Sequence, residues 1–331
     1  MFTSKTKQCV WLSVLSVLVI AFTGWVKQAH SQETYPTKPI EIIVSMAPGG
    51  SADLVARLTA SYLKDKWGVA VNVVNKTGGN TLPATTELYG ARPDGYTILA
   101  DIQPSSSALA AYGKLPFTVM DRSFLGMVSV TTLAYFVHSA SPHKTLADVI
   151  SEVKRDPDNF TWTSVGGIGG ADIAFRQLFK AIGVDVSRTK PVLTTGGSQS
   201  ALFTAGGNVK AGASTPIAVK PVAKAGHVRI LAISNVTPDR EPEFPDAPNM
   251  VELGYPSVDY VFWVGLSGPP KLPPYILDKW SKTLDEMRRD PEFKSQMAKI
   301  GNRSFSLNSD EMKRYIMKES EKIVDLFGVQ K

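Results

Sequence analysis

Five short segments of the 331-residue chain carry residues able to grip a small anion: 47–51 (APGGS), 78–81 (GGNT), 103–107 (QPSSS), 164–170 (SVGGIGG) and 194–198 (TTGGS). Each is small, uncharged and placed before a helical pattern. The first turn of a helix leaves backbone N–H groups unpaired and carries partial positive charge, so it receives anions well. Glycine lets a ligand approach the backbone, and hydroxyls such as that of Ser105 add donors. Taken alone, each segment is equally a tight turn with an N-cap. Five of one kind, spread over both halves of the chain, favour binding. Asp53 and Asp172 fall in the first turns of their helices, where a carboxylate stabilises the helix dipole.

Other chemistries find little support. Beyond the N-terminal segment the histidines are His138, His143 and His227, scattered and in no metal-ligand spacing. No G-x-S-x-G elbow or phosphate-binding G-x-x-x-x-G-K-[ST] loop occurs; Gly196-Gly197-Ser198-Gln199-Ser200 has the wrong spacing for the elbow. Residues 167–172 (GIGGAD) approach a dinucleotide fingerprint, but Asp172 replaces its last glycine and would repel a pyrophosphate. A secreted hydrolase using Ser51 or Ser198 would need a histidine within reach, and the sequence offers no such pairing. The residues call for no cofactor and no metal.

The elements that hold these loops are read from hydrophobic periodicity. Residues 38–45 (KPIEIIVS) read as a strand, broken by the first loop and followed by a helix over 51–67 that stops at Gly68. Strands at 69–74 and 96–100 flank a short helix at 81–90. The pattern then restarts: strand 132–138, helix 145–155, strand 160–164, a glycine-rich turn, and a helix with Ala171, Phe175, Leu178 and Ile182 on one face. Strands at 191–193, 229–234 and 260–266 and helices at 274–289 and 309–327 complete the reading. Alternating β and α elements predict an α/β fold with a mostly parallel sheet in each of two lobes. In such sheets the strand-to-helix turns gather at the carboxyl ends of the strands, which would aim both lobes' loops at one cleft. No sequence repeat is evident between the halves.

The N-terminus reads as an address. Lys5 and Lys7 precede an apolar stretch at 10–26, and Ala29 and Ser31 occupy the small positions of a signal-peptide cleavage site. Cleavage after Ser31 removes three lysines and no acid, lowering 36 basic residues to 33 against 30 acidic ones and the net charge from +6 to about +3. A nucleic-acid partner loses its main support. The single cysteine, Cys9, leaves with the leader, so there is no disulfide framework or cysteine-rich metal site. Export to a bacterial periplasm fits this usage. No later stretch is long and apolar enough to span a membrane.

An ordered set of motifs resembles the periplasmic receptors of tripartite tricarboxylate transporters, the Bug receptors. The set is Tyr35-Pro36-Thr37-Lys38-Pro39-Ile40 leading into Ala47-Pro48-Gly49-Gly50-Ser51-Ala52-Asp53, then Asn75-Lys76-Thr77-Gly78-Gly79, then residues 92–99 (RPDGYTIL), 229–234 (RILAIS) and 263–266 (WVGL). The resemblance spans residues 35–327. It implies a two-lobed Venus-flytrap (periplasmic-binding-protein) fold, with residues 32–131 and 255–331 in one lobe and 132–254 in the other. It implies a monomer that closes on a small organic mono- or dicarboxylate and delivers it to a two-subunit inner-membrane permease. By analogy Ala47, Pro48, Gly49, Gly50, Ser51, Gly79 and Asn80 contribute from one lobe. Ser164, Gly167, Ile168, Gly169, Thr195, Gly197 and Ser198 contribute from the other, with contacts through backbone N–H groups, hydroxyls and water.

The departures from the family pattern fall at specificity positions. Asp172 stands where a histidine is usual. Thr194-Thr195-Gly196-Gly197 replaces a Tyr-Lys-Gly-Gly stretch. Gly79-Asn80-Thr81 lacks a run of further glycines. Ile168 suits an aromatic or aliphatic carboxylate better than citrate. A sensory partner of a membrane kinase would share the same binding chemistry.

Overall fold

The computed structural model describes residues 34–112, 115–234 and 240–328. The expected leader, its expected cleavage site and Cys9 lie outside them. One compact unit comprises Met1–Thr37, of which residues 34–37 are described and form no helix or strand; the other comprises Lys38–Lys331.

The second unit opens with β1 (Ile40–Val44), whose IEIIV sequence is buried on both faces except at Glu41. A turn at Gly49-Gly50 leads to α1 (Ser51–Trp67), which buries Val55, Ala56, Ala60 and Leu63 and ends at Gly68 in the left-handed conformation. Then follow β2 (Val71–Asn75), α2 (Leu82–Gly90), β3 (Thr97–Ile102), α3 (Ser107–Tyr112) and β4 (Ser123–Thr131). The middle of the chain supplies β5 (Ala134–His138), α4 (Leu146–Arg155), β6 (Thr161–Val165), α5 (Gly170–Ile182), β7 (Lys190–Thr194), α6 (Gly197–Ala205), β8 (Gly212–Ser214), α7 (Pro216–Lys224) and β9 (Val228–Ile233). The chain finishes with β10 (Phe262–Gly268), α8 (Pro274–Arg289), α9 (Pro291–Lys299), β11 (Arg303–Leu307) and α10 (Ser309–Phe327).

A six-stranded sheet has the order β11-β4-β10-β3-β1-β2, a three-stranded sheet the order β8-β5-β9, and β6 pairs with β7. The first sheet thus draws on both ends of the unit and the other two on its middle. The six-stranded sheet is mixed, the three-stranded sheet antiparallel and the two-stranded one parallel, a correction to the mostly parallel expectation. β1–β2, β1–β3 and β6–β7 are parallel, whereas β10 runs against β3 and β4, β11 against β4, and β5 against β8 and β9. β4 and β10 are the strands by which the chain leaves the large sheet and re-enters it. A strand that enters from the far end lies antiparallel and needs no crossover helix.

Two apolar cores are joined by the last helix. One gathers Trp162, Phe175 and Phe179 with Tyr135 and Phe160, and includes Ile323 from the end of α10. The ring of Trp162 lies 5.0 Å from that of Phe175, and its Nε1–H donates to Thr189 at 2.8 Å. The other core packs Phe124, Met127, Val130 and Trp263 against Met312 and Ile316 from the start of α10. One helix therefore serves both.

The turn after β3 is fixed by a buried ion pair. The side chains of Asp101 and Arg122 are fully buried, with Nη1 and Oδ2 3.1 Å apart. Asp101 also accepts from the hydroxyls of Ser105 and Ser106, each at 2.7 Å, and from Ser267. Arg122 donates to the carbonyl of Ser105 at 2.6 Å. Breaking such a pair from one side leaves a buried charge uncompensated. Arg122→Met should therefore cost about 3–5 kcal/mol of stability in urea denaturation, and adding Asp101→Asn to that variant should recover part of the loss.

Candidate functional site

The first turn is braced from behind. Asp53, the third residue of α1, accepts the Gly49 N–H at 2.9 Å, Asn75 Nδ2 at 2.9 Å and Arg57 Nε at 3.0 Å. Asn75 also donates to the Met46 carbonyl at 3.0 Å, tying the turn to the end of β2. Burial works to raise the Asp53 pKa, but the hydrogen bonds from Arg57, Gly49 and Asn75 outweigh it and hold the carboxyl below its ordinary value.

The turn between β6 and α5 repeats the device. Asp172, again the third helical residue, accepts the N–H groups of Val165 at 2.8 Å and Gly169 at 3.0 Å and the Ser164 hydroxyl at 2.5 Å. Burial dominates here, pushing the carboxyl above its ordinary value despite those bonds. Gly50-Ser51-Ala52-Asp53 and Gly169-Gly170-Ala171-Asp172 occupy the same positions, a glycine at the N-cap and an aspartate three residues on. This short G-x-A-D repeat is present in the sequence, contrary to the expectation of none.

Four helix starts meet around one cavity of about 70 Å³. Gly50, Ser51 and Ala52 come from α1, and Gly170 and Ala171 from α5. Gly196, Gly197 and Ser198 come from α6, and Ser214 and Thr215 precede α7. Met46, Leu133 and Phe262 complete the wall, and no acidic or basic side chain lines it. None of the four N-caps, Gly50, Gly169, Gly196 and Thr215, closes its helix start with a side-chain hydrogen bond of its own. The Ser214 hydroxyl is buried without a partner. The result is a concentration of donors and dipole ends with no built-in acceptor.

A second cavity, about 220 Å³, adjoins the first and shares Met46, Pro104 and Val165 with it. Gly79, Asn80, Ile168, Leu193 and Thr195 line it, as does Ser45, whose buried hydroxyl also lacks a partner. Asn80 and Thr81 both hold positive φ, at 50° and 69°. Such backbone is uncommon for residues with side chains and collects at functional sites. Here the Asn80 side chain crosses to Gly166, where an added Cβ would lie 2.3 Å from Asn80 Oδ1.

Of the residues expected at the site, Ala47, Gly50, Ser51, Gly197 and Ser198 reach the first cavity, and Gly79, Asn80, Ile168 and Thr195 the second. Pro48, Gly49, Ser105, Ser164, Gly167 and Gly169 line neither. The Gly49 and Gly169 N–H groups go to the aspartates. Ser105 is consumed by Asp101. Ser164 serves Asp172 and accepts the Gly167 N–H at 3.2 Å. Asp53 and Asp172 line neither cavity; they shape the turns. Leu133, Phe262, Ser45 and Ser214 escape the sequence reading, although the small-residue run 211–215 before Pro216 is a usable signal for a helix start. No histidine lines either cavity. Ser51 donates to Asn302 at 3.0 Å, so its hydroxyl has no base.

The Asn80–Gly166 contact is separable from backbone strain. Gly166→Ala should cost about 2–4 kcal/mol, through overlap and a left-handed φ of 67°. Adding Asn80→Ala should relieve the overlap and leave about 1–2 kcal/mol of backbone strain, read as midpoints in urea.

A family model described as "Tripartite tricarboxylate transporter family receptor" matches residues 55–328. Protein BugT of Bordetella pertussis is 27% identical over 317 residues, covering 94% of each chain. A UPF0065 protein of Cupriavidus necator is 27% identical over 310 residues, covering 90% of each. Among solved structures, periplasmic binding protein BugD aligns with a TM-score of 0.80 at 24% identity, over 89% of this chain and 98% of that one. MatC from Rhodopseudomonas palustris with bound malate gives 0.79 at 20% identity, over 88% and 99%. A second R. palustris protein, with adipate, gives 0.81 at 21% identity, over 89% and 99%. The expected periplasmic-binding-protein fold is the fold found.

Proposed function

The chain belongs to the tripartite tricarboxylate transporter receptor family, solute-binding receptors and not enzymes, and from that premise we propose that it captures a small organic mono- or dicarboxylate in the cleft between two lobes. Residues 32–131 and 255–331 form one lobe and 132–254 the other, a division supported by the way the strands distribute among the sheets. The receptor works in the periplasm as a monomer, after loss of the leader, and hands its cargo to a two-subunit membrane permease. No described helix is long and apolar enough to cross a membrane.

The observation that carries the ligand class is the convergence of four helix starts on a lining without charge. A carboxylate entering it accepts backbone N–H groups and the orphan Ser214 hydroxyl and completes their hydrogen bonding. The rest of the molecule extends past Met46 and Val165 towards Ile168 and Leu193. That wall favours an aliphatic or aromatic body over citrate, whose further carboxylates would be desolvated there without partners. Relatives with bound malate and adipate support the same class.

A thermal-shift screen of the mature protein against citrate, aliphatic diacids, amino acids and aromatic acids tests this. A ligand at 100 times its dissociation constant adds about 2.7 kcal/mol, so one chemical class should raise the melting temperature clearly. Gly197→Ala would place a methyl 2.4 Å from Ser214 Oγ, and calorimetry should show affinity for that class reduced roughly tenfold or more. Absence of any response from a protein shown empty by mass spectrometry would reject the carboxylate assignment.

A further inference from the structure

The segments that wall the first cavity also wall a third, with neighbouring residues turned to it. Gln103 lines the third cavity where Pro104 lines the first, Tyr260 and Val261 where Phe262 does, and Ile173 where Gly170 and Ala171 do. This third space, about 680 Å³, is larger than the first two and is walled on its other side by α10. Its charged lining is balanced, with Lys180, Lys318 and Lys322 against Asp259, Glu319 and Asp325, but the lysines do not reach Glu319. Glu319 on α10 accepts from Gln103 Nε2 at 2.9 Å, Trp263 Nε1 at 3.0 Å, Tyr315 OH at 3.4 Å and the Ser107 hydroxyl. All four donors are neutral, and no ion pair among the described residues includes Glu319. Two residues of the same lining each carry a buried oxygen without a partner, Gln103 Oε1 and Tyr260 OH; the residues are only 1% and 3% exposed.

The other charges do not supply the missing cation. Lys180 pairs with Asp325 at 2.7 Å and Lys322 with Asp259 at 3.5 Å, and all four are well exposed. Lys318 is exposed on α10. Apart from Gln177 and Ser257, the remaining walls are apolar: Ile173, Ala181, Val261, Ile323 and Leu326, with the Tyr260 and Tyr315 rings. A carboxylate with neutral partners only, two orphan oxygens and aromatic faces form the complement of an ammonium group on an apolar body.

We propose that the cavity between α5, residues 257–261 and α10 is a second binding site, for a small organic amine whose ammonium is received by Glu319, Gln103 Oε1 and Tyr260 OH. The site is independent of the carboxylate assignment, since none of these three residues lines the first two cavities.

Burial pushes Glu319 up to about 7, more than its four hydrogen-bond donors lower it. The carboxyl therefore loses its charge as pH falls through that value. Phenethylamine remains an ammonium throughout. Calorimetric titration of the mature receptor with phenethylamine should show binding at pH 8 that weakens roughly tenfold or more at pH 5.5. Glu319→Gln, checked for native circular dichroism, should bind roughly tenfold or more weakly at pH 8 and lose that pH dependence. Tyr260→Phe, which removes only the hydroxyl, should weaken binding several-fold. The proposal is overturned if folded wild-type protein binds no phenethylamine at pH 8, or binds it equally well in both variants. It is also overturned if benzoate occupies the cavity and is lost in Lys318→Ala, which would make it an anion site. Carboxylate binding that depends on Gly197 would survive any of these results.

Discussion

The candidate site depends on helix starts that are left without a side-chain cap, whereas Thr145, Asp290 and Asn308 cap helices elsewhere. An exposed helix normally closes its first turn with a serine, threonine, asparagine or aspartate side chain. Here glycines occupy three of the four positions, and glycine supplies no cap. The omission costs little, about a few tenths of a kcal/mol for glycine in place of a capping side chain. It also leaves donors facing a space with no acceptor of its own, which is the condition for taking one from solution. The two aspartates make this workable. Each sits three residues into its helix, close enough to hold the turn by accepting loop N–H groups, yet outside the cavity. Asp53 is matched by Arg57, and burial of Asp172 disfavours its ionised form. Their charge therefore opposes an incoming anion less than their sequence position suggests.

The same constraint explains the mixed six-stranded sheet. Helix starts at the carboxyl ends of parallel strands point one way, as β1, β3 and β6 require. Bringing starts from separate sheets to one cavity needs the chain to cross between them, and the crossing strands β4 and β10 lie antiparallel to or beside the rest. A purely parallel arrangement would have kept the turns of each sheet apart. The last helix, α10, carries the arrangement further. It packs Met312 and Ile316 on one core and Ile323 on another, so its rigidity is shared by both.

Much of this was legible because local chemistry left marks. The spans of α8 and α10 agree with the periodicity to the residue, helped by Pro274 at the start of one and by Asn308 and Gly328 flanking the other. Four of the five loops were visible because a backbone donor site needs glycine, and glycine is conspicuous; the fifth, 103–107, showed only through its proline and serines. β4 was not visible: buried on both faces, it shows no alternation, and Gly126 interrupts it at a φ of 142° that crowding by Leu307 and Arg288 leaves to glycine alone. α7 was hidden by Pro221 within it. Within the site, the failure has one cause. A serine's type says that it can donate, not where. Ser105 and Ser164 turn inward to aspartates, whereas Ser45 and Ser214, unremarkable in sequence, are the ones left without partners. Only the tertiary arrangement decides which hydroxyls are spent.

The shared wall has a thermodynamic consequence. Gln103-Pro104, residues 260–262 and residues 170–173 bound both the cavity at the helix starts and the one beneath α10. Neighbouring residues on one backbone segment cannot shift independently, so a displacement that widens one space is felt in the other. Two ligands on opposite sides of such a wall are coupled if either prefers one position of it, and the coupling is reciprocal in free energy. Its sign depends on whether the position of the wall that one ligand prefers is also the position that the other prefers. The loops bearing Asn80 and Gly166 meet in this arrangement, and Gln103, Tyr260 and Glu319 line one cavity beneath α10. The proposed carboxylate and amine sites lie on opposite sides of this wall in one arrangement of the chain, so a coupling between them acts through the wall and is equal in both directions.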